Sequence, residues 1–238
     1  MKRYLNILFV LMLTPLIFAC DDDDDISFTQ IRVVHGSADA PAVDVLVNDG
    51  VAFEGASFKD ATDYAVLVAD TYNIKIVPTG LTEPVVFEAD LPLEAGEKYT
   101  ALALGSLTAT TSTFDVIPLV DNAENMPDKA QLRVIHGSTF ADTASPNGVD
   151  LYVNAPGMDI NSESPAVQAL VFKDNTGYVA LDEGTYEVTA TATGDKGAVT
   201  PTPVTITLEK GKIYNVIATD VDSNFAGLDL ILLDAFND

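Results

Sequence analysis

The chain has 238 residues, of which 36 are acidic and 12 basic, so its formal net charge at pH 7 is −24. A surface of this sign repels phosphate backbones, which excludes nucleic acid as a partner. The hydrophobic content of 47% is ample for packed cores and excludes a largely disordered chain.

The N-terminus has the pattern of a secretory leader. Two basic residues precede an apolar run, Leu5 to Phe18, that is short for a transmembrane helix. The run ends at Ala19-Cys20, and Cys20 is the single cysteine of the chain. This junction resembles a bacterial lipobox, which implies a signal peptide over residues 1–19 and lipidation of the Cys20 thiol. The alternative is an ordinary signal peptide that leaves a free thiol, a liability in an oxidising compartment.

Five aspartates, Asp21 to Asp25, follow directly. Such a block repels itself and extends, so residues 20–29 are predicted to be a lipidated cysteine on a solvated acidic tether. Acidic residues at this place resemble an inner-membrane retention signal in proteobacteria and a surface-export signal in Bacteroidota. We therefore expect a lipid-anchored protein of the bacterial cell envelope. The outer membrane, on its periplasmic face or at the cell surface, is preferred over the inner membrane.

One sequence motif occurs twice in the chain. Gln30 to Ser37 returns as Gln131 to Ser138 with only Val/Ile and Ile/Leu exchanges, and these copies contain both histidines of the chain. Later segments repeat in the same order, which predicts one domain at residues 30–120 and another at residues 131–238. A polar, proline-bearing linker is expected at 121–130. An insertion lengthens the second copy between Thr139 and Gly148.

The segments read as strands rather than helices. They are short, rich in Val, Ile, Thr, Tyr and Phe, and separated by Gly, Pro, Asn and Asp. In the first motif Ile31, Val33 and His35 alternate onto one face, opposite Arg32 and Val34. About seven strands in each repeat predict an all-β fold of two tandem immunoglobulin-like β-sandwich domains after the signal peptide. Four tyrosines at matching repeat positions are expected to be core or half-buried residues, namely Tyr72, Tyr99, Tyr186 and Tyr214.

The stretch from Arg32 to Val45 resembles the signature of domain-of-unknown-function family 4397, R-V-x-H-A-S-P-D-A-P-x-V-D-V. The first repeat departs from it at Gly36 and Ala38. The second repeat replaces the Pro-Asp-Ala-Pro turn with its insertion and keeps four motif residues, which are Arg133, His136, Ser138 and Asp150. The resemblance covers both repeats and implies a bacterial envelope β-sandwich, often in tandem on lipoproteins. It implies no catalytic activity.

His35, Ser37 and Asp44 invite a Ser-His-Asp interpretation, which the second repeat echoes. A nucleophilic triad also needs an oxyanion hole, and no G-x-S-x-G turn surrounds the serine. A motif present in both domains more often maintains a fold than duplicates an active site. We therefore expect no enzyme and no catalytic residues. Serine and aspartate are expected to satisfy backbone groups in the loop, and histidine is expected to hold the loop in place.

Arginine and aspartate recur together in the two copies, as Arg32 with Asp44 and as Arg133 with Asp150. Neighbouring strands would let each pair form charge-assisted hydrogen bonds. We therefore interpret six residues as a structural motif, namely Arg32, His35, Asp44, Arg133, His136 and Asp150.

No metal site or cofactor is predicted. Asp220 to Asn224 imitates the start of a calcium loop, but Phe225 and Ile231 replace the glycine and glutamate of an EF-hand. A weak, irregular Ca²⁺ site stays open as an alternative because the chain is so acidic.

The sequence favours a non-enzymatic lipoprotein that acts as a binding, adhesion or scaffold module. Its expected partners are the membrane, through the lipid anchor, and an unknown envelope protein or glycan. The loops at the sandwich ends, including Thr139 to Gly148, are the expected contact surface. The alternative is a Ca²⁺-dependent or polysaccharide-binding accessory protein of a surface uptake or adhesion system. An envelope hydrolase is the least favoured interpretation.

Overall fold

The computed structural model describes residues 26–197 and 203–235. The signal peptide, Cys20 and the aspartate tether predicted for the N-terminus lie outside the described residues. Within these ranges no helix is long and apolar enough to cross a membrane.

The first repeat is a sandwich of two four-stranded sheets. Its strands are β1 (Phe28–His35), β2 (Val43–Val47), β3 (Gly50–Ala56), β4 (Ala65–Val68), β5 (Asp70–Pro78), β6 (Phe87–Leu93), β7 (Lys98–Leu104) and β8 (Asp115–Val120). The order is β4-β1-β7-β8 in the sheet that carries the motif, here named the motif sheet, and β3-β2-β5-β6 in the opposite sheet. Strands β1 and β7 pair in parallel, whereas the other pairs are antiparallel.

The second repeat has the same topology. Its elements are β9 (Ala130–His136), α1 (Thr139–Ala144), β10 (Val149–Asn154), a 3-10 turn (Ile160–Ser162), β11 (Val167–Leu170), β12 (Val179–Leu181), β13 (Gly184–Ala192), β14 (Val204–Leu208), β15 (Ile213–Asp220) and β16 (Leu228–Ala235). The motif sheet is β12-β9-β15-β16 and the opposite sheet is β11-β10-β13-β14. The prediction of an all-β protein of two sandwiches is confirmed, with eight described strands in each repeat instead of about seven.

Strand alternation explains the two sandwich cores. In β1 the side chains of Ile31 and Val33 point between the sheets and pack against Val43, Val45 and Ile76 of the opposite sheet. The second repeat builds an equivalent core around residues that include Leu132, Val134, Val149, Leu151 and Val216. The four repeated tyrosines are buried or half-buried, as predicted.

A third apolar core lies between the repeats. The outer faces of the two motif sheets pack on each other, so Val34 and Leu102 of the first repeat meet Ile135, Ile217 and Ile231 of the second. These side chains are at most 6% exposed. Corresponding positions of the two repeats supply the contact, so the interface has approximate two-fold symmetry, as in an isologous dimer.

Gly105 follows β7 in a conformation that only glycine adopts without strain. Its φ is +79°, and a Cβ atom there would lie 2.6 Å from the carbonyl oxygens of Ser112 and Thr113. Its own carbonyl oxygen accepts a hydrogen bond of 2.7 Å from the hydroxyl of Ser37 in the first motif. The end of the motif thus depends on a close approach between backbones.

We predict that Gly105→Ala lowers the free energy of unfolding by at least about 2 kcal/mol, because left-handed strain and overpacking add together. Urea denaturation measures the loss. Gly96→Ala is the matched control, since Gly96 has the same φ of +79° but no atom within 4 Å of the added carbon. Equal losses in the two variants would contradict the role of the close approach.

Candidate functional site

The two faces of each motif strand serve different structures. On β1 the inward-facing Ile31, Val33 and His35 belong to the sandwich, while Arg32 and Val34 point toward the other repeat. All five side chains are buried. The duplicated motif therefore lies at the junction of the two domains and is not an open cleft.

The Asp121 carboxylate is the centre of this junction. One oxygen accepts hydrogen bonds from the hydroxyls of Tyr64 at 2.8 Å and Thr100 at 2.5 Å, both in the first repeat. The other oxygen binds the Arg133 guanidinium and lies 3.4 Å from the hydroxyl of Tyr178, both in the second repeat. The side chains of Asp121 and Arg133 are 0% and 4% exposed. One buried carboxylate thus accepts hydrogen bonds from both domains.

The two motif arginines have related surroundings. Each guanidinium lies over a tyrosine ring, with Arg32 at 4.8 Å from the Tyr64 centroid and Arg133 at 4.6 Å from the Tyr178 centroid. Arg32 donates through Nε to the Thr100 hydroxyl of β7 at 2.9 Å. Arg133 donates through Nε to the Asn215 Oδ1 of β15, the equivalent strand, at 2.8 Å. Arg133 also donates to the carbonyl oxygen of residue 120 at 2.8 Å.

Burial controls the ionisation of both tyrosines. It raises the pKa of Tyr64, and the nearby negative charge of Asp121 adds to the effect. Burial also raises the pKa of Tyr178 to about 12, against the lowering effect of Arg133. Both phenols are therefore neutral hydrogen-bond donors at physiological pH.

Two related ion pairs flank the interface. Lys59 reaches Asp229 of the second repeat at 2.5 Å, and Lys173 reaches Asp115 of the first repeat at 2.7 Å. The backbone N–H groups of both lysines donate to the carbonyl oxygens of the motif histidines at 2.8 Å. Both lysines also adopt a positive φ, of 72° and 75°. The motif backbone therefore fixes each lysine loop in the position that spans the domains.

The predicted pairs of Arg32 with Asp44 and of Arg133 with Asp150 are wrong. Strands β2 and β10 lie in the sheets opposite the motif, so these aspartates are across the sandwich from the arginines. The oxygens of Asp44 accept from the backbone N–H groups of Gly55 and Gly80, both at 2.8 Å.

The other aspartate follows the same plan. Asp150 accepts from the N–H groups of Ala169 at 2.9 Å and Gly194 at 3.0 Å. Burial raises the pKa of Asp44, but the bonds from Gly80 and Gly55 outweigh it and lower the value overall. Both aspartates therefore hold turns of the opposite sheet by accepting hydrogen bonds from backbone N–H groups.

The three residues of the candidate triad bind different groups. The His35 ring donates through Nε2 to the carbonyl oxygen of Pro41 at 3.1 Å, and the Ser37 hydroxyl donates to the carbonyl oxygen of Gly105. Asp44 is in the other sheet. Histidine and serine therefore hold the loops in place, because each side chain donates a hydrogen bond to a backbone carbonyl oxygen.

His136 is buried among apolar groups. Its ring lies edge-on to Phe172 at 6.0 Å, and neither ring nitrogen has a hydrogen-bond partner within the described residues. The ring borders a core cavity of about 30 Å³, which has room for a water molecule but not for a sugar. Burial lowers the pKa of His136 to about 4, so the ring is neutral near pH 7.

In each repeat one carboxylate connects the end of the first strand to the loop that follows its parallel partner. The carboxylate comes from the loop after the first strand in the first repeat and from the end of the partner strand in the second. In the first repeat Asp39, in the loop after β1, accepts from the hydroxyls of Ser106 at 2.8 Å and Thr108 at 2.7 Å in the loop after β7. In the second repeat Asp220, at the end of β15, accepts from the hydroxyl of Ser138 at 2.6 Å and the N–H of Phe140 at 2.9 Å.

The Asp220 bonds weigh against the calcium loop considered from the sequence. Both carboxylate oxygens bind the start of α1, and the first candidate ligand is therefore engaged in the fold. Across residues 26–197 and 203–235, no group of three or more His, Cys, Asp or Glu side chains is arranged to hold a metal ion.

The insertion of the second repeat folds as the short helix α1. Ser138, the last residue of the motif, caps it by accepting from the N–H of Ala141 at 3.1 Å. Asp142 accepts a 2.5 Å hydrogen bond from Ser112 of the first repeat. Four residues of the insertion are exposed, namely Thr143, Ala144, Pro146 and Asn147. Most of the loop expected to be a contact surface thus closes the sandwich.

Sequence reasoning missed the residues that join the domains. Asp121 has an unremarkable place in a polar segment interpreted as a linker. The lysine and tyrosine positions repeat in the sequence. The partners of the two lysines, Asp115 and Asp229, also occupy matching positions. Aligning Asp115-Val116-Ile117 with Asp229-Leu230-Ile231 would have supplied the signal.

The fold and the junction define a class of protein, a tandem β-sandwich in which two related domains share a buried, nearly two-fold interface. The chain matches the family described as "Domain of unknown function (DUF4397)" twice, over residues 29–143 and 142–235, and it belongs to that family. No curated protein matches it.

Two solved structures show distant likeness. The Bacillus anthracis TIE protein is 13% identical, with a TM-score of 0.26, and the match covers 82% of this chain and 34% of that one. The chain thus corresponds to about a third of that protein. The module CBMbc (family CBM26) of Eubacterium rectale Amy13K, solved with maltoheptaose, is 8% identical, with a TM-score of 0.27 and coverage of 89% and 98%. Neither likeness carries a functional argument.

We predict that Asp121→Asn lowers the free energy of unfolding by about 3 kcal/mol, because the buried Arg133 guanidinium loses its counter-charge. Urea denaturation measures the loss. Asp128→Asn is the control, since the Asp128–Lys210 pair at 2.8 Å is largely exposed and its removal should cost about 0.5 kcal/mol or less. Similar small losses in both variants would contradict the central role of Asp121.

We predict that the buried His136 ring makes stability depend on pH. Its pKa of about 4 in the fold lies below the ordinary 6.5, so the unfolded chain binds the proton first. The stability that the neutral His136 ring contributes is complete above pH 6.5 and is lost as the pH falls toward 4. Compared with His136→Phe, the natural chain should lose about 2 kcal/mol between pH 7.5 and pH 5. Parallel stability–pH curves for the two chains would show that this ring is not responsible.

Proposed function

We propose that this protein is a non-enzymatic lipoprotein of the bacterial cell envelope that acts as a binding, adhesion or scaffold module. One observation carries the proposal: the six residues of the structural motif are buried, and all of them except His136 form hydrogen bonds with other groups of the fold. Ser37 binds a backbone carbonyl oxygen, Asp44 binds backbone N–H groups, and Arg133 binds the shared Asp121 carboxylate. Side chains that are buried and engaged in this way are poorly placed to act on a substrate.

The shared interface supports a scaffold role. Two sandwiches joined by an apolar core, a buried carboxylate and flanking ion pairs hold a constant relative orientation. Such a body presents its end loops at constant separation, which favours recognition of an extended envelope protein or glycan. The proposed function includes no cofactor.

The proposed cellular location rests on the N-terminal sequence. Lipidation of Cys20 would join the domains to a bilayer through several acyl chains, which is enough for stable anchoring. The acidic run from Asp21 to Asp25 would form a short solvated link between the lipid anchor and the first domain. The outer membrane, on either face, is the proposed location, with the inner membrane as the alternative.

We predict that the full-length protein, expressed in a bacterium with its own leader, enters the detergent phase on Triton X-114 partition. Its intact mass should correspond to a chain that begins at Cys20 and carries acyl groups. Cys20→Ser should remain unlipidated and move to the aqueous phase, whereas the control Asp25→Asn should behave like the natural chain. A natural chain that is aqueous and unmodified would overturn the anchor and, with it, the envelope address.

A further inference from the structure

An exposed apolar patch lies where the described chain begins. Ile26, Phe28, Val66 and Val68 are 68%, 57%, 63% and 45% exposed. Phe28 pairs directly with Val68 across β1 and β4, and Val66 lies two residues before Val68 in β4, on the same face. These four residues are here named the anchor-side patch.

The second repeat provides an internal comparison. The positions that match Phe28 and Val68 hold Lys129 and Asp182, which form an ion pair at 2.6 Å. The position that matches Val66 is Ala180. The same fold therefore accepts charged residues at this edge, and folding alone does not require the apolar side chains of the first repeat.

The place of the patch in the chain points to its occupant. Ile26 lies six positions after Cys20 in the chain. A fully extended chain spans at most about 3.6 Å per residue, so the patch begins within about 22 Å of the anchoring residue. The second repeat begins more than a hundred residues later and has the charged version. The apolar residues therefore occur in the repeat that is near Cys20 in the sequence, and the ion pair occurs in the repeat that is far from it.

We propose that the anchor-side patch rests on the bilayer that holds Cys20, with its aromatic and aliphatic side chains at the boundary between headgroups and acyl chains. This inference rests on the proposed lipid anchor, which keeps the patch at the membrane surface. Contact would be apolar rather than electrostatic, because the adjacent aspartates repel anionic lipids. The contact orients the first sandwich on the membrane and thereby sets which loops face outward.

The chain contains no tryptophan, so one introduced tryptophan reports its own surroundings. The mature chain from Cys20 onward is coupled through this thiol, the only one in the protein, to maleimide lipids in phosphatidylcholine vesicles. Zwitterionic vesicles avoid repulsion of the aspartate run. Phe28→Trp places the probe in the patch, and Lys129→Trp places it at the matching position of the second repeat.

On tethered vesicles, the Phe28→Trp emission should shift to the blue and be quenched by bromine-labelled acyl chains, while Lys129→Trp should stay unquenched. Phe28→Lys combined with Val68→Asp copies the ion pair of the second repeat and should fold. A Val66→Trp probe in that background should be unquenched, although it is quenched in the natural background.

Two results would overturn the proposal. Equal and negligible quenching at both positions would show that the patch does not touch lipid. A blue shift of Phe28→Trp that grows with protein concentration without vesicles would show that a second copy covers the patch. Because the tether is chemical, the experiment tests the patch even where the cell fails to lipidate Cys20, and the partition experiment tests that step separately.

Discussion

The two domains depend on a single buried carboxylate. Asp121 accepts hydrogen bonds from Tyr64 and Thr100 on one side and binds Arg133 on the other. A buried ion pair of this kind adds little net stability compared with apolar packing, but it strongly penalises any arrangement that separates its members. The apolar core around Val34 packs the two motif sheets together, and the carboxylate adds hydrogen bonds to both domains.

This interface explains why the motif recurs with so few changes within one chain. Its inward-facing residues pack a sandwich, its outward-facing residues pack the other domain, and its terminal serine holds an end loop. A strand that is buried on both faces has no position at which polarity can change freely. The histidines add a constraint of their own, because burial lowers the pKa of both rings and so favours their neutral forms.

The sequence was sufficient for the fold class because strand periodicity and internal repetition are local signals. It was not sufficient for the partner of the arginines. Alternation shows that Arg32 and Val34 share a face, but not which surface covers that face. Asp44 is close to Arg32 in the chain, yet β2 crosses to the opposite sheet, and the polar residue that matters comes from the segment between the domains. Asp121 directly follows the first predicted repeat, residues 30–120, so a comparison of the two predicted repeats does not include it.

The nearly two-fold junction makes the protein unevenly sensitive to mutation. The lysine–aspartate contact occurs twice, so loss of Lys59 leaves the Lys173 contact in place, and each copy is partly redundant. Asp121 is not duplicated in this way. The paired contacts can therefore diverge one at a time over generations, whereas the shared carboxylate leaves no second copy to compensate for a change.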